Sequence, residues 1–143
     1  MFLDRNLGKK IIADALRQAG SDVRVHDDLF SPNARDEEWL SEVGRFQWVV
    51  LTKDARIRYR EIERMALMNA RVRASVLTAK NLQGSEMANI FVTALPAIQR
   101  FATKHTPPFI AKITRSGRVS MLVSHHDRRR QRKIVNPVRG SHI

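Results

Sequence analysis

The segment that most restricts how this chain can fold is residues 48–60, WVVLTKDARIRYR. It opens as a short apolar run, Trp48-Val49-Val50-Leu51, rich in β-branched and aromatic residues and bounded by polar ones. Such a run predicts a buried strand. It stops at Thr52-Lys53-Asp54 and passes into a dense series of arginines, Arg56, Arg58 and Arg60. An acid at the C-terminal lip of a buried strand, beside cations, stands where open α/β sheets carry ligands and chemistry. Asp54 can equally cap the helix that follows, since Asp is a favoured N-cap. The rest of the chain has to separate the two readings.

On either side of this segment, strand and helix patterns alternate. Phe2-Leu3 is a very short apolar start that ends in Asp4, which a strand there would place at its C-terminal end. Over residues 8–20, Ile11, Ile12, Ala15, Leu16 and Ala19 recur at helical spacing, and Gly20 suits a C-cap. Val23 and Val25 alternate with polar neighbours as in a short strand, before an acidic turn at His26-Asp27-Asp28. Ser31-Pro32-Asn33 is a loop signal. Asp36-Glu37-Glu38-Trp39-Leu40 opens a helix with acids in its first turn, where the helix dipole favours them, and Gly44 is expected to end it.

Past the arginines, Ile62, Met65, Ala66 and Met68 suggest a helix, and residues 74–78, ASVLT, another buried strand. A long helix is expected over 85–105, its apolar stripe running from Met87 to Phe101 with a kink at Pro96. Residues 109–114 and 119–123 flank Arg115-Ser116-Gly117-Arg118 and read as a hairpin. The alternation predicts a three-layer α/β/α domain over residues 1–123, with a mostly parallel central sheet and a C-terminal hairpin at its edge. Residues 124–143 form a separate basic tail with too few apolar residues to fold alone.

Charge narrows the partners. The chain carries 26 basic and 14 acidic residues, a formal net of +12. Without residues 124–143, which hold six basic residues and one acid, 20 basic and 13 acidic residues leave +7. The body is therefore basic by itself, which points to a polyanion, nucleic acid first. The basic stretches lack the apolar face of an interfacial helix, so a membrane surface is not expected as a partner. The N-terminus lacks the features of a signal peptide, so the cytoplasm is the expected compartment. Zero cysteines excludes disulfides and thiolate metal sites.

In a parallel sheet, Asp4 and Asp54 share one edge, and a helix opening at Asp36 starts on that edge too. Three acids far apart in sequence would then converge. Two carboxylates ~4 Å apart repel by about 4 kcal/mol at an effective dielectric of ~20, so such a cluster calls for a proton or a cation. Hard oxygen donors favour Mg2+ or Mn2+. The competing reading makes Asp4 a turn acid and Asp36 an N-cap.

Taken together, Phe2-Leu3-Asp4, the acid-led helix at Asp36 and Val49-Val50-Leu51-Thr52-Lys53-Asp54 resemble the PIN domain, a metal-dependent ribonuclease fold, and within it the branch that includes toxins of bacterial toxin–antitoxin pairs. The resemblance runs from residue 1 to about residue 123. It implies a metal-dependent endoribonuclease hydrolysing RNA phosphodiesters, with Asp4, Asp36 and Asp54 as ligands of one or two Mg2+ or Mn2+ ions. Thr52 matches a hydroxyl position near the site and would orient a carboxylate or water. Glu37 could replace or assist Asp36. An acidic antitoxin protein is the partner implied, and a homodimer is allowed.

One departure stands out. The fourth acid common in this family after the fourth strand is missing from Thr78-Ala79-Lys80-Asn81-Leu82-Gln83, which leaves Asn81 or Glu86 as substitutes. Lys53, Arg56, Arg58 and Arg60 are expected on the RNA backbone, with Tyr59 stacked on an unpaired base. The alternative for the arginines is a solvated helix face paired with Glu61 or Glu63. Two other functions fit parts of the pattern. One is a catalytically silent RNA-binding module. The other is a phosphoacceptor receiver domain using Asp54, Thr78 and Lys112, against which stand the single acid at Asp4 and the charge of +12. His125 and His126 read as solvated surface.

Overall fold

The computed structural model describes residues 1–8, 10–54 and 61–124. Four short apolar runs become parallel strands, β1 (Phe2–Leu3), β3 (Val49–Thr52), β4 (Arg73–Leu77) and β5 (Phe109–Ile113). β2 (Arg24–Val25) pairs with the outer side of β1, and β6 (Val119–Val123) closes the far edge antiparallel to β5. The strand order is β2-β1-β3-β4-β5-β6.

Alternation along these strands builds two cores from one sheet. Leu3, Leu51, Leu77 and Ile113 face α1 (Ile11–Gln18) and α5 (Gly84–Lys104), whose Ile12, Leu16, Phe91 and Ile98 cover them. Their strand neighbours Phe2, Val50, Val76 and Ile110 face α3 (Asp36–Arg45) and α4 (Glu61–Asn69) through Trp39, Leu40, Val43 and Leu67. With both faces covered, the strands need apolar residues at every position, which is why residues 48–51 read as an unbroken run. Phe2 is fully buried, stacked on Trp39 at 5.5 Å and on Trp48 at 5.9 Å between ring centroids. The two-residue strand β1, too short to hold itself, is pinned by that aromatic cluster.

Three details depart from the sequence reading. His26-Asp27-Asp28 is not a turn but the start of a short helix, α2 (His26–Leu29), with His26 buried against Phe2, Phe30 and Trp39. Gly44 does not end α3, which continues to Arg45. It is small because a Cβ there would collide with the carbonyl of Ala70 at the end of α4. α1 stops at Gln18 and Gly20 closes it as expected, in the left-handed region at φ 91°, its N–H on the Arg17 carbonyl and the Ser21 N–H on the Leu16 carbonyl. Thr78 lies just past β4 instead of within it, although its backbone N–H still reaches the Ile113 carbonyl. α5 runs through Pro96 as one element. Among the described residues no helix is long and apolar enough to cross a membrane. The expected tail lies outside the described residues from His125 onward.

Candidate active site

Parallel strands put their C-terminal ends on one edge, and the chain leaves β1 and β3 there side by side. Asp4 follows β1, and its backbone N–H still donates to the Leu51 carbonyl at 3.0 Å, so the residue is locked to the sheet. Its Oδ1 accepts from the Arg5 backbone N–H at 2.7 Å, starting a single 3-10 turn, Arg5–Leu7. Its Oδ2 accepts from the Thr52 hydroxyl at 2.8 Å.

Thr52 is the hub. It is buried at the end of β3, and a hydroxyl has one proton to give and two lone pairs to fill. All three are used: the proton goes to Asp4, while the oxygen accepts from Asn6 Nδ2 at 3.0 Å and from the Asp54 backbone N–H at 3.1 Å. Asn6 Oδ1 in turn accepts weakly from the Lys53 N–H at 3.4 Å. One buried hydroxyl thus fixes the side chain of Asp4, the backbone of Asp54 and the amide between them.

Asp36 reaches the same place from the other side. It is the first residue of α3, and its Oδ1 accepts from the indole Nε1 of Trp39 at 3.0 Å. Trp39 is itself buried in the core beneath α3, so the core sets the orientation of this carboxylate. Arg5 ties down the approach to α3, donating to the Pro32 carbonyl at 2.8 Å and pairing with Asp27 at 3.6 Å.

These groups line one cavity of about 530 Å3, with Asp4, Asp36, Asp54 and Glu63 on its polar wall and Trp39, Leu40, Val50 and Leu67 beneath. Among the described residues, four carboxyl groups and one guanidinium, that of Arg5, line it. Burial pushes the Asp4 carboxyl above its ordinary range, Asp36 adds to the push, and the Thr52 hydroxyl, the Arg5 N–H and His26 oppose it. The donor set, all oxygen, is one that hard divalent cations take. Its spacing is wider: among the described residues no group of three or more His, Cys, Asp or Glu stands close enough together to hold a metal ion. The carboxylates line a cavity wall; they do not form a closed coordination sphere.

Of the residues singled out in the sequence, Asp4, Asp36, Thr52 and Asp54 come together. Glu37 does not. It faces away, into a groove between α3 and α4 with Ser41, Ile62 and Met65, because one residue along a helix turns the side chain by about 100°. Glu86 does not either: its carboxylate accepts from the Gln83 N–H at 3.0 Å and completes the capping box of α5. Asn81 and Lys53 line a second cavity that shares Asn6 and Asp54 with the first. Arg56, Arg58, Tyr59 and Arg60 lie outside the described residues. Asn6, Arg5 and Glu63 were missed. Only the position of Asn6, two residues past Asp4 in a tight turn, could have drawn attention to it.

Compared with known proteins, residues 1–79 match the family model described as PIN like domain. That stretch contains every residue of the cavity just described. The chain is also 27% identical over 126 residues to "Putative ribonuclease VapC45" of Mycobacterium tuberculosis, an alignment covering 85% of this chain and 91% of that protein. No solved structure matches the chain. The order β2-β1-β3-β4-β5 is shared by receiver-type doubly wound sheets, so it is the family match that sets the phosphoacceptor reading aside.

Proposed function

This chain belongs to the PIN-like domain family, and on that premise we propose that it is a metal-dependent endoribonuclease hydrolysing RNA phosphodiesters, the toxin of a toxin–antitoxin pair. The observation that carries the reading is the cavity shared by Asp4, Asp36 and Asp54 at the C-terminal edge of β1 and β3. The name of the mycobacterial relative, a ribonuclease, supports the same class of activity.

Asp4, Asp36 and Asp54 are the residues that would hold Mg2+ or Mn2+, which requires them to draw together from the spacing seen here. Bound there, the ion would supply a water of lowered pKa and offset the charge on the scissile phosphate. The chain's own part is positional and electrostatic. Thr52 holds Asp4 in one rotamer and Asp54 at one backbone height, Trp39 holds Asp36, and Asn6 keeps the threonine hydroxyl turned toward Asp4. A cation opposes the burial that raises the Asp4 pKa, so metal binding and ionisation of Asp4 favour one another. Lys53 at the rim, and Arg56, Arg58, Tyr59 and Arg60 further along the sequence, carry the RNA backbone and an unpaired base. Residues 1–123 make up the nuclease domain, and residues 124–143 add a basic RNA contact. An acidic antitoxin protein is the partner that a chain of +12 would attract, in the cytoplasm, where the RNA is.

The wide spacing of the carboxylates favours one second reading, an RNA-binding module without catalysis. Cleavage of a labelled RNA with Mn2+ or Mg2+ against EDTA, for wild type and Asp54→Asn, separates the two. A nuclease cuts only with metal and loses at least ~100-fold in the variant, because one carboxylate of the set is gone. RNA binding with no metal-dependent cleavage leaves the silent module.

A further inference from the structure

The acidic cavity has a neighbour of opposite character. A second cavity, also about 530 Å3, lies against it, and Asn6 and Asp54 line both. Lys53 and Lys80 stand on the wall of this second cavity, with Asp54 as the one acid among its described residues. Among the described residues neither lysine forms a salt bridge. Across one shared wall the described lining residues therefore change from four acids and one arginine to two lysines and one acid.

The loop that brings Lys80 here is held at several points. The Thr78 hydroxyl donates to the Ile113 carbonyl at 3.3 Å. Arg115, in the turn between β5 and β6, donates to the Lys80 carbonyl at 3.4 Å. Asn81 takes a left-handed backbone conformation, φ 60°, which few residues other than Asn or Gly adopt readily, and it turns the loop toward α5. The Gln83–Glu86 capping box then starts the helix. Leu82 and Met87 supply an apolar side to the cavity, and the Asn81 amide has no hydrogen bond among the described residues.

A chain of phosphates cannot lie wholly among carboxylates. A nucleic acid whose reacting phosphate sits by Asp4, Asp36 and Asp54 needs cations under the phosphate beside it, and this wall has them. We propose that the second cavity is a nucleotide subsite for single-stranded RNA, taking the residue next to the cut bond. Lys53 and Lys80 engage its phosphate, Leu82 and Met87 support the face of its base, and the Asn81 amide meets the base edge. Unpaired RNA is the form that fits, because only an unstacked base can enter a side cavity. The inference rests on the nuclease reading for which phosphate is cut, but not for whether the cavity binds.

The test uses the full chain and a fluorescein-labelled single-stranded RNA of about eight nucleotides, in EDTA so that binding is read without cleavage. Lys80→Ala is expected to weaken binding about 3- to 10-fold and to flatten the dependence of log K on log salt by roughly 0.7, one phosphate contact on a single strand. Lys80→Arg is expected to restore the slope. Asn81→Ala is expected to weaken binding to one base more than to the other three when that position is varied. With Mn2+, KM of Lys80→Ala is expected to rise by the factor seen in binding. Wild-type affinity and salt slope in Lys80→Ala would overturn the subsite and leave the nuclease reading standing. No cleavage by wild type, together with weakened binding in Lys80→Ala, would overturn the nuclease and keep the subsite. Wild type that neither binds nor cuts RNA would overturn both.

Discussion

At the scale of single residues, Asp4 and Thr52 form the pair on which the cavity turns. Asp4 is buried enough for its carboxyl to be pushed up, so folding favours its protonated form more than the unfolded chain does. A group whose folded pKa is raised contributes stability that is complete below its unfolded pKa and is lost as pH climbs through the folded one. Without metal, Asp4→Asn is therefore expected to raise Tm near pH 7, with the gain fading as pH falls into the ordinary carboxylate range. The same variant should abolish metal-dependent cleavage. Thermal melts in EDTA across that pH range check the first outcome, and an unchanged or lowered Tm near neutrality contradicts it. Thr52→Val keeps the shape but removes the proton that Asp4 accepts and the oxygen that Asn6 and Asp54 use. Stranding buried partners costs about 1–3 kcal/mol. Cleavage should fall with it, Thr52→Ser should recover both, and denaturant melts with initial rates decide the matter.

Among the elements, α3 matters most because it delivers Asp36. Its approach to α4 depends on the missing side chain at Gly44, where a Cβ would meet the Ala70 carbonyl. Gly44→Ala gains helix propensity, worth about 1 kcal/mol, but overpacking costs typically 1–3 kcal/mol, and backbone cannot step aside as a flexible side chain can. The net expectation is a destabilised protein with weakened metal affinity, measurable by denaturant melts and Mn2+ titration. Removing the cap of α5 with Glu86→Ala should cost about 0.5–2 kcal/mol of stability. Cleavage should fall only in proportion to the folded fraction, since that carboxylate closes a helix end. A larger loss of turnover would return Glu86 to the acids of the site.

For the whole molecule, the relevant quantity is charge. Removing residues 124–143 takes six basic residues and one acid from a chain of +12 and leaves +7. The truncated protein is expected to bind RNA more weakly and with a flatter salt dependence, by about 0.7 in slope for each phosphate that the tail no longer neutralises. Turnover at saturating RNA should change less. Anisotropy titrations at several salt concentrations check this, and an unchanged slope would remove the tail from the RNA interface.

How much of this was legible beforehand differs between fold and site. The strands at 49–52 and 73–77 and the helices from Asp36 and near Ser85 were readable because burial on both faces, or on one stripe, writes a period into the chain. The acids at Asp4 and Asp54 were readable as residues that end strands. The roles of Gly44, Glu37 and Glu86 were not. Each depends on what stands opposite in space: a carbonyl of α4, a groove turned away from the cavity, and the backbone of Gln83. Nor does linear order reveal that Asn6 and Asp54 divide an acidic cavity from a basic one, since the residues that meet there come from stretches far apart in the chain.

The amino-acid order by itself thus determined the layers, the sheet and the acids at its edge, because hydrophobic periodicity and strand ends are local properties of a chain. The tertiary structure alone decided which polar groups share a proton, which acid serves a helix cap, and which lysine stands beside which carboxylate. Hydrogen bonds and charge interactions act over a few ångströms of space, whatever the separation along the chain.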